Sequence, residues 1–506
     1  MNTQSASPLG EGWAAQGRQP KIAVIGAGVS GLIMTVTLDQ AGYTDITVFE
    51  KADRVGGTWR ENTYPGLSCD VPAAWYRMRC NPRTDWAYRF AYGPEIQRYV
   101  EQTADMMGIT PRIRFNTGIK ALTYQAGQWR LETQTGEVHR YDIVIAACGL
   151  LHHPKLPDIE GLESFEGALF HTARWDHSVD YKGKRVGLIG TGSTAAQIVG
   201  AITKDVGHLS LFQRTPQWML PLAQKKYSAL WRWCQRRVPG ATALPYYLYY
   251  KLFEHILVGS TIGNKTRERL VGWIAKRHLR KSVADPALRE KLTPDYTPLC
   301  KRMILCSDFY PAISSPNAEL VTDGIERIEQ NGVRTRDGRL HALDILVCAT
   351  GFDSKAFLLP MDVTGANGEN LADLWGGAPR AHRGVSMPGF PNFWMLEGPT
   401  SPVGNLSLIF ISEYQARYIT AMIDKMKQDR LAAIEPTRDA FEKTNAEMAQ
   451  AVTRTVWFTG GCDSWYLDAT GKPNLYPFPT KRFRREMSHP DFSEFHLIRA
   501  SEPAHA

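Results

Sequence analysis

Among the eight cysteines of this 506-residue chain no two form a CxxC pair, and no histidine-rich zinc spacing accompanies them. That argues against a thioredoxin-like redox motif and against a metal site. Cys69, Cys80, Cys148, Cys234, Cys300, Cys306, Cys348 and Cys462 read as reduced cytosolic thiols. No N-terminal apolar segment resembles a signal peptide, and residues 1–19, small and polar, read as a loose arm. A cytoplasmic location is the expectation. The most apolar stretch, 245–263, contains Lys251, Glu254 and His255. A transmembrane helix wants ~18 or more uncharged apolar residues, so this stretch reads as a core or surface helix. Nor does one sign of charge dominate: 59 Lys and Arg stand against 51 Asp and Glu, a net +8. So mild and dispersed an excess fits an anionic small ligand and does not indicate a nucleic-acid binder. The densest basic patch, Lys225, Lys226, Arg232, Arg236 and Arg237, reads first as a solvated helix face and only second as a contact with a membrane surface.

What is present is the composition of an ordinary soluble enzyme, 43% hydrophobic and 22% charged, with chain enough for two to four domains of roughly 100–200 residues. KIAVIGAGVSGL, from Lys21, runs from a short apolar strand into Gly26-x-Gly28-x-x-Gly31 and then an apolar helix; the next strand, DITVFE, ends on Glu50. Glycines let such a turn tighten and let a pyrophosphate approach the backbone at a helix N-terminus, while an acid ending the second strand meets a ribose hydroxyl. RVGLIGTGSTAAQ, from Arg185, repeats the device as Gly190-x-Gly192-x-x-Ala195, and its following strand, HLSLFQ, leads into Arg214. Glu50 and Arg214 each lie 24 residues after the first glycine of their turn. A carboxylate would repel a 2′-phosphate and an arginine would bind one, so the second unit prefers NADPH to NADH.

The two units also end alike. YDIVIAACG (141–149) and LDILVCATG (343–351) are apolar strands closing on small residues, each after a hairpin-like stretch, QTGEVHR and TRDGRLH. The fold class is therefore α/β, with two Rossmann-like dinucleotide-binding domains and a helical insertion in the second. The expected boundaries are an arm at 1–19, the first dinucleotide-binding domain at 20–153, the second, NADPH-binding domain at 154–222, a helical insertion and return at 223–317, the rest of the second domain at 318–383, and the rest of the first domain with the C-terminal loops at 384–506.

After Glu50 the chain reads KADRVGGTW, and the glycine pair ending at Gly57 gives backbone room beside a large cofactor. Two dinucleotide sites on one chain let one cofactor reduce the other, and FAD with NADPH is the natural couple. The flavin could then reduce a disulfide, make peroxide or oxygenate a substrate. Cys69 and Cys80 do not form a redox pair, so the first branch is weak.

Here the chain resembles a known family. FEGALFHTARWD (165–176) fits the F-x-G-x-x-x-H-x-x-x-W-P/D fingerprint of type I Baeyer–Villiger monooxygenases through Phe165, Gly167, His171, Trp175 and Asp176. GGTWRENTYPGLSCDVP (56–72), CKRM (300–303), ATGF (349–352), FPNFWMLEGPTSPVGN (390–405) and GGCDSWY (460–466) are similar to family segments as well. NPRTDWAYRF, after Cys80, departs from the pattern, as does Ala195, which stands where the strict turn has glycine.

The resemblance implies that reduced flavin captures O2 as a C4a-peroxide, which attacks a small-molecule ketone and yields an ester or lactone. It implies Arg302 as the active-site cation and Asp70 as its partner near the flavin. Thr58, Trp59 and Tyr76 would line the isoalloxazine and ribityl region. Thr191, Ser193, Thr194 and Gln197 would hold the NADPH phosphates, Arg214 and Thr215 the 2′-phosphate, and Trp465 would close over the nicotinamide. His171 is implied to be a linker residue coupling domain rotation to catalysis, and Trp175 a packing residue. The pocket would draw on the insertion and on the loops at 399–408 and 460–466, whose apolar residues favour apolar ketones. A monomer or weak homodimer is the expected state. Two other readings stay open: a flavin monooxygenase acting on sulfur or nitrogen, and a non-oxygenating NADPH oxidase.

Overall fold

A computed structural model of the chain describes residues 12–82, 85–402 and 406–499. Two five-stranded parallel sheets carry it. In the first, the order is Phe393–Met395, Ile143–Ala146, Ile22–Ile25, Ile46–Phe49 and Ile113–Arg114. In the second it is Ala318–Val321, His208–Phe212, Arg185–Ile189, Ile345–Cys348 and Ala168–His171. The flanked strands read as unbroken apolar runs because helices cover both faces of a parallel sheet. Ile22, Val24, Ile143 and Ile145 are fully buried in one sheet, as are Leu188 and Val347 in the other.

The duplication is visible in register. In each sheet the strand before the glycine turn lies between the strand ending at Glu50 or Arg214 and the strand closing on small residues. Ile25 pairs with Phe49 on one side and Ala146 on the other; Ile189 pairs with Phe212 and Cys348. Strand ends are flush at the carboxyl edge, where open α/β sheets bind their ligands. Both hairpin-like stretches form antiparallel ribbons, Gln128–Thr133 with Val138–Tyr141 and Gly332–Thr335 with Leu340–Ala342. The extra length of the second unit is helical, with Ala229–Arg237, Ala243–Phe253, Lys265–Ser282 and Pro286–Lys291 between the paired strands Met219–Leu220 and Ile304–Leu305.

Three expectations need correction. Residues 1–11 of the expected arm lie outside the described residues, but 12–19 do not form a loose arm. Trp13 is fully buried, and Arg18 donates through both terminal nitrogens to Asp142 at 2.6 Å. The short polar run hid one large apolar anchor. Second, the strand Asp362–Thr364 pairs with 121–123, so the chain has returned to the first unit about twenty residues before the expected boundary at 383. Third, not all the cysteines are thiols: Cys300 and Cys462 form a disulfide, their Cα atoms 6.0 Å apart and 162 residues apart in sequence. Only the fold brings them together. The other six are free.

Candidate active site

The two glycine turns differ in what dictates each glycine. A Cβ on Gly26 would lie 2.5 Å from the carbonyl oxygen of Ala147, and one on Gly190 2.6 Å from that of Ala349, so each first glycine is forced by the neighbouring strand end. A Cβ on Gly31 would lie 1.9 Å from the carbonyl oxygen of Gly26. The middle glycines are under no such pressure. A Cβ on Gly192 meets nothing within 4 Å, and one on Gly28 meets only the Gly57 backbone, its closest contact at an ordinary 3.6 Å. The space over each turn is kept open by the middle glycine, at the N-terminus of Val29–Gln40 or Ser193–Ile202. No side chain caps either helix, and neither has an acid in its first turn. Their first-turn N–H groups and dipoles suit a pyrophosphate. Both cradles therefore fit a dinucleotide.

Glu50 is buried at the first turn. Its Oε2 accepts from the Ala27 N–H at 2.8 Å, and its Oε1 accepts from the Ala52 N–H and from Arg60. These bonds hold the carboxylate against the glycine loop, where a ribose would lie. At the second turn the Thr191 hydroxyl donates to the Thr215 carbonyl at 2.7 Å, which holds the Arg214–Thr215 loop beside the glycines. Arg214 is exposed. Lys301, missed from sequence, adds positive charge there: burial lowers its pKa first, and the nearby Arg214 lowers it further. If this pair reads a 2′-phosphate, Arg214→Ala raises KM for NADPH roughly 10–100-fold, the worth of one charge-assisted hydrogen bond, and leaves KM for NADH nearly unchanged. Steady-state kinetics with both nucleotides checks it.

Between the units runs the loop 64–72. The Tyr64 hydroxyl donates to Gln197 Oε1 at 3.0 Å, and Gln197 Nε2 donates to the Ser68 carbonyl at 3.0 Å. Gln197, expected to hold phosphate, is thus used to clamp this loop onto the helix of the second turn; Ser193 and Thr194 occupy that helix's first turn. The clamp presents Asp70 to the segment at 300–303. Arg302 Nε and Nη2 both donate to Asp70 Oδ2, at 2.9 and 2.7 Å. The guanidinium pKa is held above its ordinary value, first by Asp70. Residues 232 apart in sequence thereby meet as a charge-assisted pair, each with about a third of its side chain accessible. Tyr466 completes the group. Burial pushes its pKa up to about 12, with Arg302 pulling the other way. It was not foreseen as a site residue, although its segment GGCDSWY was; the Cys300–Cys462 bond explains why that segment arrives here.

On the flavin side the Trp59 indole N–H donates to the Tyr76 hydroxyl at 2.8 Å, their rings edge to face. Trp59 packs against both main cores, so it lies at the junction of the units. Thr58 is exposed at the start of its short helix, behind Gly57. A second unforeseen residue is Glu397, whose Oε1 accepts from Ser30 at 3.0 Å and Ser412 at 2.6 Å, tying the C-terminal segment to the first nucleotide helix. Burial raises its pKa. Trp465 stands one step removed: 40% exposed, its ring is 4.4 Å from that of Tyr466.

The fingerprint lies elsewhere. Its strand, Ala168–His171, is the edge strand of the second sheet, so His171 is held in a folded element where the chain enters the second unit. Its Nδ1 accepts from the Ala173 N–H at 3.1 Å, and its ring meets Phe352 edge to face. Burial lowers its pKa. Trp175 packs on Phe170, and Asp176 accepts from the backbone and hydroxyl of Ser178. Gly167 is required by packing: a Cβ there would lie 2.7 Å from the buried Phe165 ring and 2.4 Å from the Asp344 carbonyl oxygen. The motif builds an edge of the second sheet without reaching Asp70 or Arg302.

Comparison with known proteins gives a consistent picture. A family described as FMO-like, flavin-binding monooxygenase-like, matches residues 19–363. An uncharacterized monooxygenase of Mycobacterium tuberculosis is 44% identical over 483 residues, covering 96% of this chain and 97% of its own. A Baeyer–Villiger monooxygenase of Streptomyces coelicolor is 39% identical over 486 residues, covering 95% and 93%. Among solved structures, the complex of OTEMO with FAD and NADP superposes with a TM-score of 0.84 at 27% identity, covering 95% of this chain and all of that one.

Proposed function

Because the chain belongs to the flavin-binding monooxygenase-like family, we propose that it is a FAD-dependent, NADPH-consuming Baeyer–Villiger monooxygenase. It converts a ketone, O2, NADPH and a proton to an ester or lactone, NADP⁺ and water. The observation that carries this reading is the Arg302–Asp70 pair at the junction of two dinucleotide cradles. Bound FAD supplies the oxygen activation, and bound NADPH the hydride that sustains it.

The chain's own residues do the rest. Gly26, Gly28, Gly31 and Glu50 cradle the FAD pyrophosphate and ribose, with Gly57, Thr58, Trp59 and Tyr76 along its ring end. Gly190, Gly192, Ser193 and Thr194 cradle NADPH, with Arg214 and Thr215 at its 2′-phosphate. Trp465, beside Tyr466, covers the nicotinamide end. Asp70 orients the Arg302 guanidinium through two hydrogen bonds to one carboxylate oxygen. A cation fixed in place by its carboxylate stabilises negative charge developing on the substrate's carbonyl oxygen, with little reorganisation needed at the moment of reaction. Tyr466 holds a neutral hydroxyl against the same guanidinium.

Apolar ketones are the substrates proposed, with a cytoplasmic location beside the NADPH supply and a monomer or weak homodimer as the working unit. The domain division is proposed as 20–153 with the C-terminal return from about 362 for FAD, and 154–222 with 318–361 for NADPH, the helical insertion spanning 223–317. The test is purified holoenzyme with NADPH, ¹⁸O₂ and a ketone panel. One labelled oxygen per ester is the expected result. Labelled sulfoxide alone, from sulfides offered in parallel, would favour the sulfur-oxidising reading. NADPH loss yielding only peroxide would favour the oxidase.

A further inference from the structure

The helical insertion turns an apolar face outward. On its second helix, Ala243–Phe253, Tyr250 is buried and meets Trp75 and Phe410. Leu244, Tyr247, Leu248 and Leu252 recur at helical spacing on the other side, and all are exposed, Leu244 at 64% and Leu248 at 56%. A surface helix ordinarily places polar residues there. The preceding helix, Ala229–Arg237, does the same with Leu230, 71% exposed, and Trp233, one turn before exposed Arg236 and Arg237. Exposed apolar residues scattered singly need no explanation, but a band on two consecutive helices does.

Charge identifies what covers it. Between Asp205 and Glu254 the sequence has no acidic residue, whereas Lys225, Lys226, Arg232, Arg236, Arg237 and Lys251 fall within that interval. Arg232, Arg236, Arg237 and Lys251 therefore share their helices with the apolar band, and Lys225 and Lys226 precede the first of them. A second copy docked across a two-fold axis would bring these cations together, with Asp85 at 3.6 Å from Arg236 and Glu254 at 3.1 Å from Lys251 offsetting two of them. An anionic lipid surface complements both features, taking leucine and tryptophan at the acyl boundary and Lys and Arg at the headgroups. At nine and eleven residues the helices are far too short to cross a bilayer, and none of the described helices is long and apolar enough to do so. They can lie in the interface plane.

We propose that the two-helix segment 229–253 docks this protein peripherally on an anionic phospholipid bilayer through Leu230, Trp233, Leu244, Tyr247, Leu248 and Leu252. The proposal is independent of the catalytic reading, since binding is measured without turnover. The experiment is co-sedimentation of the holoenzyme with vesicles of phosphatidylcholine alone or of equimolar phosphatidylcholine and phosphatidylglycerol, at low and high salt. The protein should pellet with the anionic vesicles, stay in solution with the neutral ones, and be released by salt. The double variant Leu244→Glu/Leu248→Glu, both side chains pointing to solvent, should weaken vesicle binding by at least roughly tenfold while flavin content and Tm stay as they were. Failure to pellet with anionic vesicles at low salt overturns the proposal, as does undiminished binding by the double variant. A lipid-free dimer, seen by light scattering and converted to monomer by the same variant, would assign the face to a second copy instead.

Discussion

Arg302→Ala should abolish ester formation while sparing reduction of the flavin. The guanidinium is held by two bonds to one Asp70 oxygen and lies against Tyr466, so its position is set before substrate arrives. Removing one such preorganised electrostatic group costs about 10²–10³-fold in rate, roughly 3–4 kcal/mol of transition-state stabilisation. Hydride transfer from NADPH does not call on that cation. Anaerobic stopped-flow of flavin bleaching should stay within a few-fold of wild type, and oxygen uptake should end in peroxide. Arg302→Lys restores charge without the planar fork and should recover only part of the ester. If the alanine variant makes ester at an unaltered rate, the cation assignment is wrong.

Gly31→Ala should give a colourless protein. Its new Cβ would lie 1.9 Å from the Gly26 carbonyl oxygen, so the first turn must open or the helix must shift. Strain of about 3 kcal/mol in a cradle weakens binding roughly 10²-fold, enough to strip FAD during purification. Gly192→Ala is the instructive contrast. Its Cβ meets no protein atom within 4 Å, so fold, flavin absorbance and Tm should be preserved while KM for NADPH rises. Spectra of the two purified variants side by side decide the matter. A yellow Gly31→Ala enzyme, or a Gly192→Ala enzyme with unchanged KM, would contradict the two-cradle assignment.

The glycine turns were legible because their chemistry is local: strand, turn, helix and charged strand end all fall within about thirty residues. Glu50 and Arg214 could be picked out by a shared spacing of 24 residues, and the flush registers at Ile25 and Ile189 bear out that duplication. Arg302 and Asp70 were legible only through resemblance, since 232 intervening residues leave no periodic trace of an ion pair. Tyr466, Lys301 and Glu397 were missed for the same reason. Each gains its role from a neighbour supplied by another part of the chain. Trp13 was missed because one tryptophan in a polar run carries no pattern, yet a single large aromatic suffices to fasten a segment. Arg236 and Arg237 are exposed on their helix, as a solvated face requires. Their charge was read correctly, but the company they keep depends on which side of each helix faces the core.

The disulfide between Cys300 and Cys462 has a topological consequence. It closes the intervening chain into a covalent ring, and that ring takes in strands of both sheets: Ala318–Val321 and Ile345–Cys348 from the second, Phe393–Met395 from the first. Neither nucleotide unit can therefore be released as an unconstrained chain while the bond is intact. Shrinking the unfolded ensemble in this way is worth on the order of 2–4 kcal/mol. The bond also tethers the segment bearing Arg302 to the C-terminal loop bearing Tyr466, so the two cannot part company while it is intact.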